Sequence, residues 1–340
     1  MTRYIIIGAG AIGGGLGGRL AQHGHRVVLV ARGAHLQALQ RGGLRLRSPD
    51  QDVRLPVTAV AGPEEIILSD EDVLVLSTKT HQAEAALTQW ADVPVISEGR
   101  TVGTAGERLP LLTALNGVTS ESLALRYFDR VLGVCVWMPA VHLEPGEVII
   151  RGVPRSGMFH LGRYPARSTT DADTELLDKI KIDWDGSEFE VLLPADVMPW
   201  KYRKLISNIG NAFQALIGPN GEFGRLVKAA STEARQVLEA AGITVTSDAE
   251  EAQTRSDSFT VRPVPGTPEV LGGSTWQSLS RGSGAVETDY LNGEIARIAR
   301  ENGRTAPINA RIAALARRAA AAGRRPGDLS ADEVARLLGL

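Results

Sequence analysis

Up to about residue 195, short unbroken apolar runs alternate with amphipathic stretches. YIII (4–7), VVLVA (27–31) and VLVLS (73–77) read as buried strands. The segment after GAGAIGG, running to Gln22 or His23, reads as a helix that Gly24 stops; residues 34–41 and 80–90 read as two more. That alternation is the signature of a parallel, doubly wound sheet. Further strands are expected at 94–96, 111–115, 131–138, 147–150 and 189–193, with LLDKI as a helix between the last two. Turn residues at Glu144-Pro145-Gly146 and Asp185-Gly186 predict hairpins or antiparallel additions. From Asp196 the pattern turns helical, over 199–217, 223–230, 231–242, 286–301, about 307–322 and 331–338. The last helix opens on the capping box Ser330-Ala-Asp-Glu333. The chain therefore divides into an α/β domain, 1–195, and an all-helical domain, 196–340.

Composition narrows the function classes. The 340 residues carry a net charge of −2, with 43% hydrophobic and 22% charged residues, so no global charge recruits nucleic acid or an anionic membrane. The arginines of the Ala/Arg-rich stretch 311–325 read as a solvated helix face. No apolar run is long enough to span a bilayer, and the glycine-broken N-terminus reads as strand and turn, not as a signal peptide. The single cysteine, Cys135, lies in the apolar run VLGVCVW and reads as a core residue. One cysteine allows no internal disulfide and fits a reducing cytoplasm. The six histidines show no ligand spacing, so no metal site is expected.

Gly8-Ala9-Gly10-Ala11-Ile12-Gly13 matches G-x-G-x-x-G, directly after a strand and before a helix. Gly8 permits a tight turn, Gly10 lets backbone approach a pyrophosphate, and Gly13 brings the helix close to the sheet. The helix N-terminus adds N–H groups and partial positive charge. The second strand ends VARGAH, with no acid to hold a ribose hydroxyl. Arg32 can pair with a 2′-phosphate there, which favours NADP(H). The third strand brings Ser77, Thr78 and Lys79 to the sheet's carboxyl edge, and LPLLTALNGV brings Asn116-Gly117 to it.

The segment Trp200 to Leu216 reads as one buried helix, with Lys204, Asn208 and Asn211 on a single stripe at about 3.6 residues per turn. A buried lysine has a depressed pKa and suits a general acid at neutral pH. Hydride reduction of a ketone needs such an acid. A carboxylate to hold the lysine is offered by Glu287, at the start of the helix expected from 286.

GAGAIG, VARGAHL, STKT, LNGV, Ala140–Val148, KLISN, PNGE and VETDYLNGEI, in this order, make the chain similar to the ketopantoate reductase family. The resemblance implies a Rossmann-type sheet joined to a helical substrate and dimerisation domain, as in 6-phosphogluconate-dehydrogenase-like folds. It implies NADPH-dependent reduction of a small 2-oxo acid, with Lys204 as proton donor and Glu287 beside lysine, cofactor and substrate hydroxyl. Asn208 would bind substrate, Asn220 would close over it, and Asn116 would bridge nicotinamide and substrate. Lys79 would line the same cleft, and Ala140 would contact the nicotinamide end. Three departures concern the substrate. Thr275-Trp276 stands where the family often has Ser-Met, with Thr275 keeping the hydroxyl that would meet the substrate. The asparagine expected at Ala212 is instead Asn211, about 100° around the helix. The segment between KLISN and PNGE is shorter. A reductase of another 2-oxo acid or imine, and a non-catalytic NADP(H)-binding regulator, stay open at this point. The helical domain can support a homodimer.

Overall fold

The computed structural model describes residues 2–268, 272–282 and 284–340. They fall into two compact units. The first comprises Met1–Leu115, Thr119–Val197 and Ala249–Thr267; the second comprises Asn116–Val118, Met198–Asp248 and Pro268–Leu340. Two pieces depart from the expected division at 195/196. Residues 249–267 belong with the sheet-containing unit, because Phe259–Val261 pairs antiparallel with Gly152–Pro154 and Arg255 lies over the Trp137 ring. Asn116–Val118 belong with the helical unit.

Eight strands build the main sheet: β1 (Arg3–Ile7), β2 (Arg26–Val30), β3 (Thr58–Val60), β4 (Asp72–Leu76), β5 (Leu111–Thr113), β6 (Val131–Trp137), β7 (Gly157–Tyr164) and β8 (Phe189–Leu192). Their order is β8-β7-β6-β5-β4-β1-β2-β3. β1 runs parallel to β2 and β4, with Arg3 opposite both Arg26 and Asp72. Alternate residues of β1 feed opposite cores: Tyr4 and Ile6 one, Ile5 and Ile7 the other. Each fully buried isoleucine contributes about 1.5–3 kcal/mol. The chain moves outward from β1 through β2 and β3, then crosses back to β4. That reversal leaves a crevice at the carboxyl ends of β1 and β4, where ligands bind in open α/β sheets.

β7 is absent from the sequence reading. Glycines at 157 and 162 and a histidine at 160 hide its period, yet it pairs antiparallel with all of β6, His160 opposite Cys135. A smaller sheet, in the order Ala140–Val141, Glu147–Ile150, Leu44–Arg47, Asp52–Leu55, contains the hairpin expected at Glu144–Gly146. Helix α1 (Ala11–Gln22) touches both sheets. Side chains built on Gly13 and Gly17 would strike Ile6 and Leu29 of the main sheet. Those built on Gly14, Gly15 and Gly18 would strike Val148, Met138 and Leu44. The extra glycines thus admit mainly apolar side chains rather than neighbouring backbone. Helices α2 (Gly33–Gly42), α3 (Ala83–Ala91) and α4 (Asp171–Asp185) belong to this unit, together with most of the helix Asp248–Ser258, which the sequence reading did not expect.

In the second unit, α5 (Met198–Asn208) and α6 (Gly210–Ile217) replace the one helix expected over 199–217. Ile209 keeps helical dihedrals, so only the bonding changes: its N–H turns to the Ile206 carbonyl, and its own carbonyl accepts from Asn292 Nδ2 at 3.4 Å. By contrast, α7 (Gly224–Ala240) is continuous through Ser231, because Ala230, Ala234 and Val237 form one unbroken buried face. Then come α8 (Ser274–Ser280), α9 (Asn292–Glu301), α10 (Pro307–Ala321) and α11 (Ala331–Leu338). The helix expected from 286 begins only at Asn292, since Leu291 leaves helical space at φ −116, ψ −91. Ile312, Ala313, Ala316 and Ala319 face inward along α10, and Arg311, Arg317 and Arg318 face solvent.

Candidate active site

The candidate site residues fall in both units. In the first, the strand ends bring backbone together tightly. Ser77 N–H donates to the Ile7 carbonyl at 2.9 Å, and Ser77 Oγ donates to the Gly8 carbonyl at 2.9 Å. Gly8 has φ +106, and a Cβ there would lie 2.9 Å from the Thr78 nitrogen. A Cβ on Gly13 would lie 2.2 Å from the Gly8 oxygen. Gly10 is the exception: a Cβ there meets no protein atom within 4 Å. Ala11 and Ile12 open α1, whose N-terminus receives no side-chain cap and has no acid in its first turn.

These features fit a dinucleotide phosphate. Space lies beside the glycine that must admit it, and an uncapped helix start supplies donors. The Thr78 hydroxyl, at the same strand end, is buried without a hydrogen-bond partner. Arg32 stands exposed at the start of α2 and donates to Gln89 Oε1 at 3.2 Å. Half-buried Lys79 begins the 3-10 turn Thr80–Gln82 in an extended conformation. Half-buried Ala140 packs against the core of this unit from the smaller sheet.

In the second unit, three of the expected asparagines form a chain. Asn211 Nδ2 donates to Asn208 Oδ1 at 3.5 Å, and Asn208 Nδ2 donates to Asn116 Oδ1 at 3.1 Å. Asn211 therefore shares the Asn208 stripe. Gly117, with φ +85, lets this turn approach the Tyr290 carbonyl, where a Cβ would stand 2.9 Å away. Half-buried Lys204 lies one helical turn before Asn208. Lys201, which the sequence reading passed over, is buried more deeply, at 2% exposure. Glu287 is buried and begins the turn Thr288–Tyr290, and its charge acts on the Arg281 guanidinium. Thr275 is buried and its hydroxyl lacks a partner. Asn220 is not gathered with the others. It is exposed, in the turn closed by Gly221 N–H on the Gly218 carbonyl.

Gln214, which the sequence reading passed over, lies beside Asn211. Its Oε1 accepts the Gly273 N–H at 2.7 Å, fixing the start of α8 beside Asn211. Gly210, Asn211, Gln214, Phe223, Gly224 and Val227 line an open groove of about 310 Å³. Trp276 is accommodated because Gly272 has no side chain: a Cβ on Gly272 would lie 2.2 Å from the indole Cγ. Among the described residues no cluster of His, Cys, Asp or Glu could hold a metal ion, and no helix is long and apolar enough to cross a membrane.

The family models described as Ketopantoate reductase PanE/ApbA and its C-terminal counterpart match residues 4–166 and 196–320. The chain belongs to the ketopantoate reductase family. It is thus an oxidoreductase that works with a nicotinamide cofactor. The 2-dehydropantoate 2-reductase of Pyrococcus horikoshii is 25% identical over 312 residues, 90% of this chain and 93% of its own. The enzyme of the same name from Mesorhizobium japonicum is 35% identical over 193 residues, 52% of this chain and 56% of its own. The crystal structure of a family member from Ralstonia eutropha matches with TM-score 0.73 at 25% identity, covering 95% of this chain and 99% of that one. D-mandelate dehydrogenase in ternary complex with NADH and anilino(oxo)acetate matches in fold, with TM-score 0.75, 21% identity and the same coverage.

Proposed function

We propose that this ketopantoate reductase family member reduces a small 2-oxo acid with NADPH, and that 2-dehydropantoate is the first substrate to try. The observation that carries the reading is the Asn211–Asn208–Asn116 amide chain one turn from Lys204. An ammonium beside linked amides matches the two needs of such a substrate: donors for its oxygens and a proton for its reduced carbonyl. The dinucleotide supplies the hydride. Lys204 gives its proton to the carbonyl oxygen as charge develops there, producing the hydroxyl of a 2-hydroxy acid. Glu287 orients the lysine and the new hydroxyl, Asn208 and Asn116 hold the substrate, and the Thr275 hydroxyl takes its carboxylate. Arg32, at the end of a strand that lacks an acid, favours the 2′-phosphate and hence NADPH over NADH. The cytoplasm is the compartment in which a chain with one cysteine fits.

A second reading, a reductase for a bulkier 2-oxo acid, is favoured by the open groove of about 310 Å³ beside Asn211. NADPH oxidation across a panel of branched and aryl 2-oxo acids separates the two. Highest kcat/KM with 2-dehydropantoate supports the first reading; an aryl or long-branched acid ahead of it supports the second. Tight NADPH binding with no turnover on any member would sink both.

A further inference from the structure

His35 lies in the motif VARGAHL but has no role in the nucleotide motif or in what the resemblance implies, yet it holds the glycine loop from outside. Its Nε2 lies 2.8 Å from the Ala9 carbonyl oxygen, and the Gly146 N–H donates to its Nδ1 at 2.9 Å. A backbone N–H only donates, so Nδ1 carries no proton. Nε2 carries it and donates to Ala9. One neutral imidazole thereby bridges two segments far apart in sequence, the glycine loop and the turn at 144–146. The turn is itself seated on α2, since a Cβ on Gly146 (φ +80) would stand only 2.9 Å from Ala38 Cβ. The His142 ring packs against His35 with centroids 4.2 Å apart, and its Nδ1–H donates to the Glu147 carbonyl at 3.0 Å. Burial, chiefly, and then the neighbouring His142 push the His35 pKa down to about 4, so the ring stays neutral at neutral pH.

The consequence follows from peptide geometry. Ala9 and Gly10 share one trans planar unit, so turning its carbonyl toward His35 sends the Gly10 N–H the opposite way. We propose that His35 is a positioning residue for the dinucleotide: it fixes the Ala9–Gly10 peptide in the orientation in which the Gly10 N–H serves the phosphates. The proposal rests on the nucleotide reading of the loop.

The test measures NADPH affinity by fluorescence titration in H35F, which keeps a ring and loses both bonds, and in H35Q, whose amide nitrogen replaces Nε2–H. The dissociation constant is expected to rise about tenfold in H35F, as for the loss of roughly one buried hydrogen bond. In H35Q it stays within about threefold of wild type. Independently of folding in either variant, nitrogen NMR of the wild-type imidazole should show His35 as the Nε2–H tautomer at neutral pH. Wild-type affinity in H35F, no rescue in H35Q, or an Nδ1–H tautomer would overturn the proposal. A wild type that binds no nicotinamide dinucleotide would sink the cofactor reading and the proposal with it, an outcome distinct from the other three.

Discussion

Helix α1 and the α5–α6 pair both break the pattern of a simple amphipathic helix, for opposite reasons. In α1 the break is a loss of side chains. A Cβ on Gly13 would meet the Gly8 carbonyl and Ile6 within one strand–turn–helix, and at the turn a Cβ on Gly8 would meet the backbone of Ser77 and Thr78 at the neighbouring strand end. In α5–α6 the break is a gain of polar side chains within a buried segment. Their partners are remote: Asn208 reaches Asn116, Gln214 reaches Gly273, and the Ile209 carbonyl is held by Asn292. A site made of backbone is specified locally and tolerates only what fits. A site made of side chains is specified by packing and fails one bond at a time. Substitutions in the two helices should therefore fail differently.

The largest effect is expected at Lys204. Lys204→Ala should lower kcat by about 10²–10⁴-fold, the usual contribution of general acid catalysis. Stopped-flow reduction at saturating substrate measures it, and an unchanged kcat would remove Lys204 from the reaction. Next come two glycines that separate packing from binding. Gly13→Val drives a side chain into the Gly8 carbonyl, 2.2 Å from its Cβ, and should reduce stability by roughly 1–3 kcal/mol or more as well as NADPH affinity. Gly10→Ala meets no protein atom within 4 Å. It should leave the denaturation midpoint within about 0.5 kcal/mol of wild type and still weaken NADPH binding. If both variants lost stability equally, the distinction between the glycines would collapse. Smaller again is Asn208→Ala, which removes both bonds of the amide chain. KM for the oxo acid should rise about tenfold, close to one hydrogen bond's worth of binding, with NADPH affinity retained.

That contrast also explains what could be read before the fold was known. YIII, VVLVA and VLVLS declare buried strands because nothing polar interrupts them, and GAGAIG declares its turn because only glycine fits at 8 and 13. The resemblance added roles for Lys204, Glu287 and the asparagines. β7 stayed hidden because glycines and His160 blur its alternation. The break at Ile209 was invisible in the local pattern, and the side chain that meets its carbonyl, Asn292, lies 83 residues away. Residues 249–267 could not be assigned to the sheet unit, since their partner strand, Gly152–Pro154, is a short glycine- and proline-containing segment with weak strand character. Asn211 was ambiguous for a similar reason: helix geometry put it on the stripe, the family spacing did not, and only a partner for its amide distinguishes them.

The gentlest probe of the comparison is acid. All six histidines fall in the first unit, at 23, 25, 35, 81, 142 and 160, and none in the second. Burial holds His160 down to about 3, and burial with His142 holds His35 down to about 4, against an ordinary value of 6.5. A depressed histidine is favoured neutral in the fold, so the unfolded chain binds more protons below pH 6.5. The stabilisation is complete above that pH and drains as pH falls toward the folded-state values. For His160 the loss between pH 6.5 and 5.5 is roughly 1 kcal/mol, with a smaller share from half-exposed His35. Asp173 is lowered as well: burial would raise it, but Arg130 and Thr170 more than offset that. Its contribution is lost only below its ordinary value of 3.8, so it does not confuse this window. Urea unfolding at pH 7.5, 6.5 and 5.5, with hydrogen exchange to locate the weakened region, should show the loss in the sheet-containing unit and leave the helical unit's protection unchanged. His160→Leu should flatten the slope. The same slope in that variant, or acid loss that begins among the helices, would show that buried histidine is not what makes the two units respond differently.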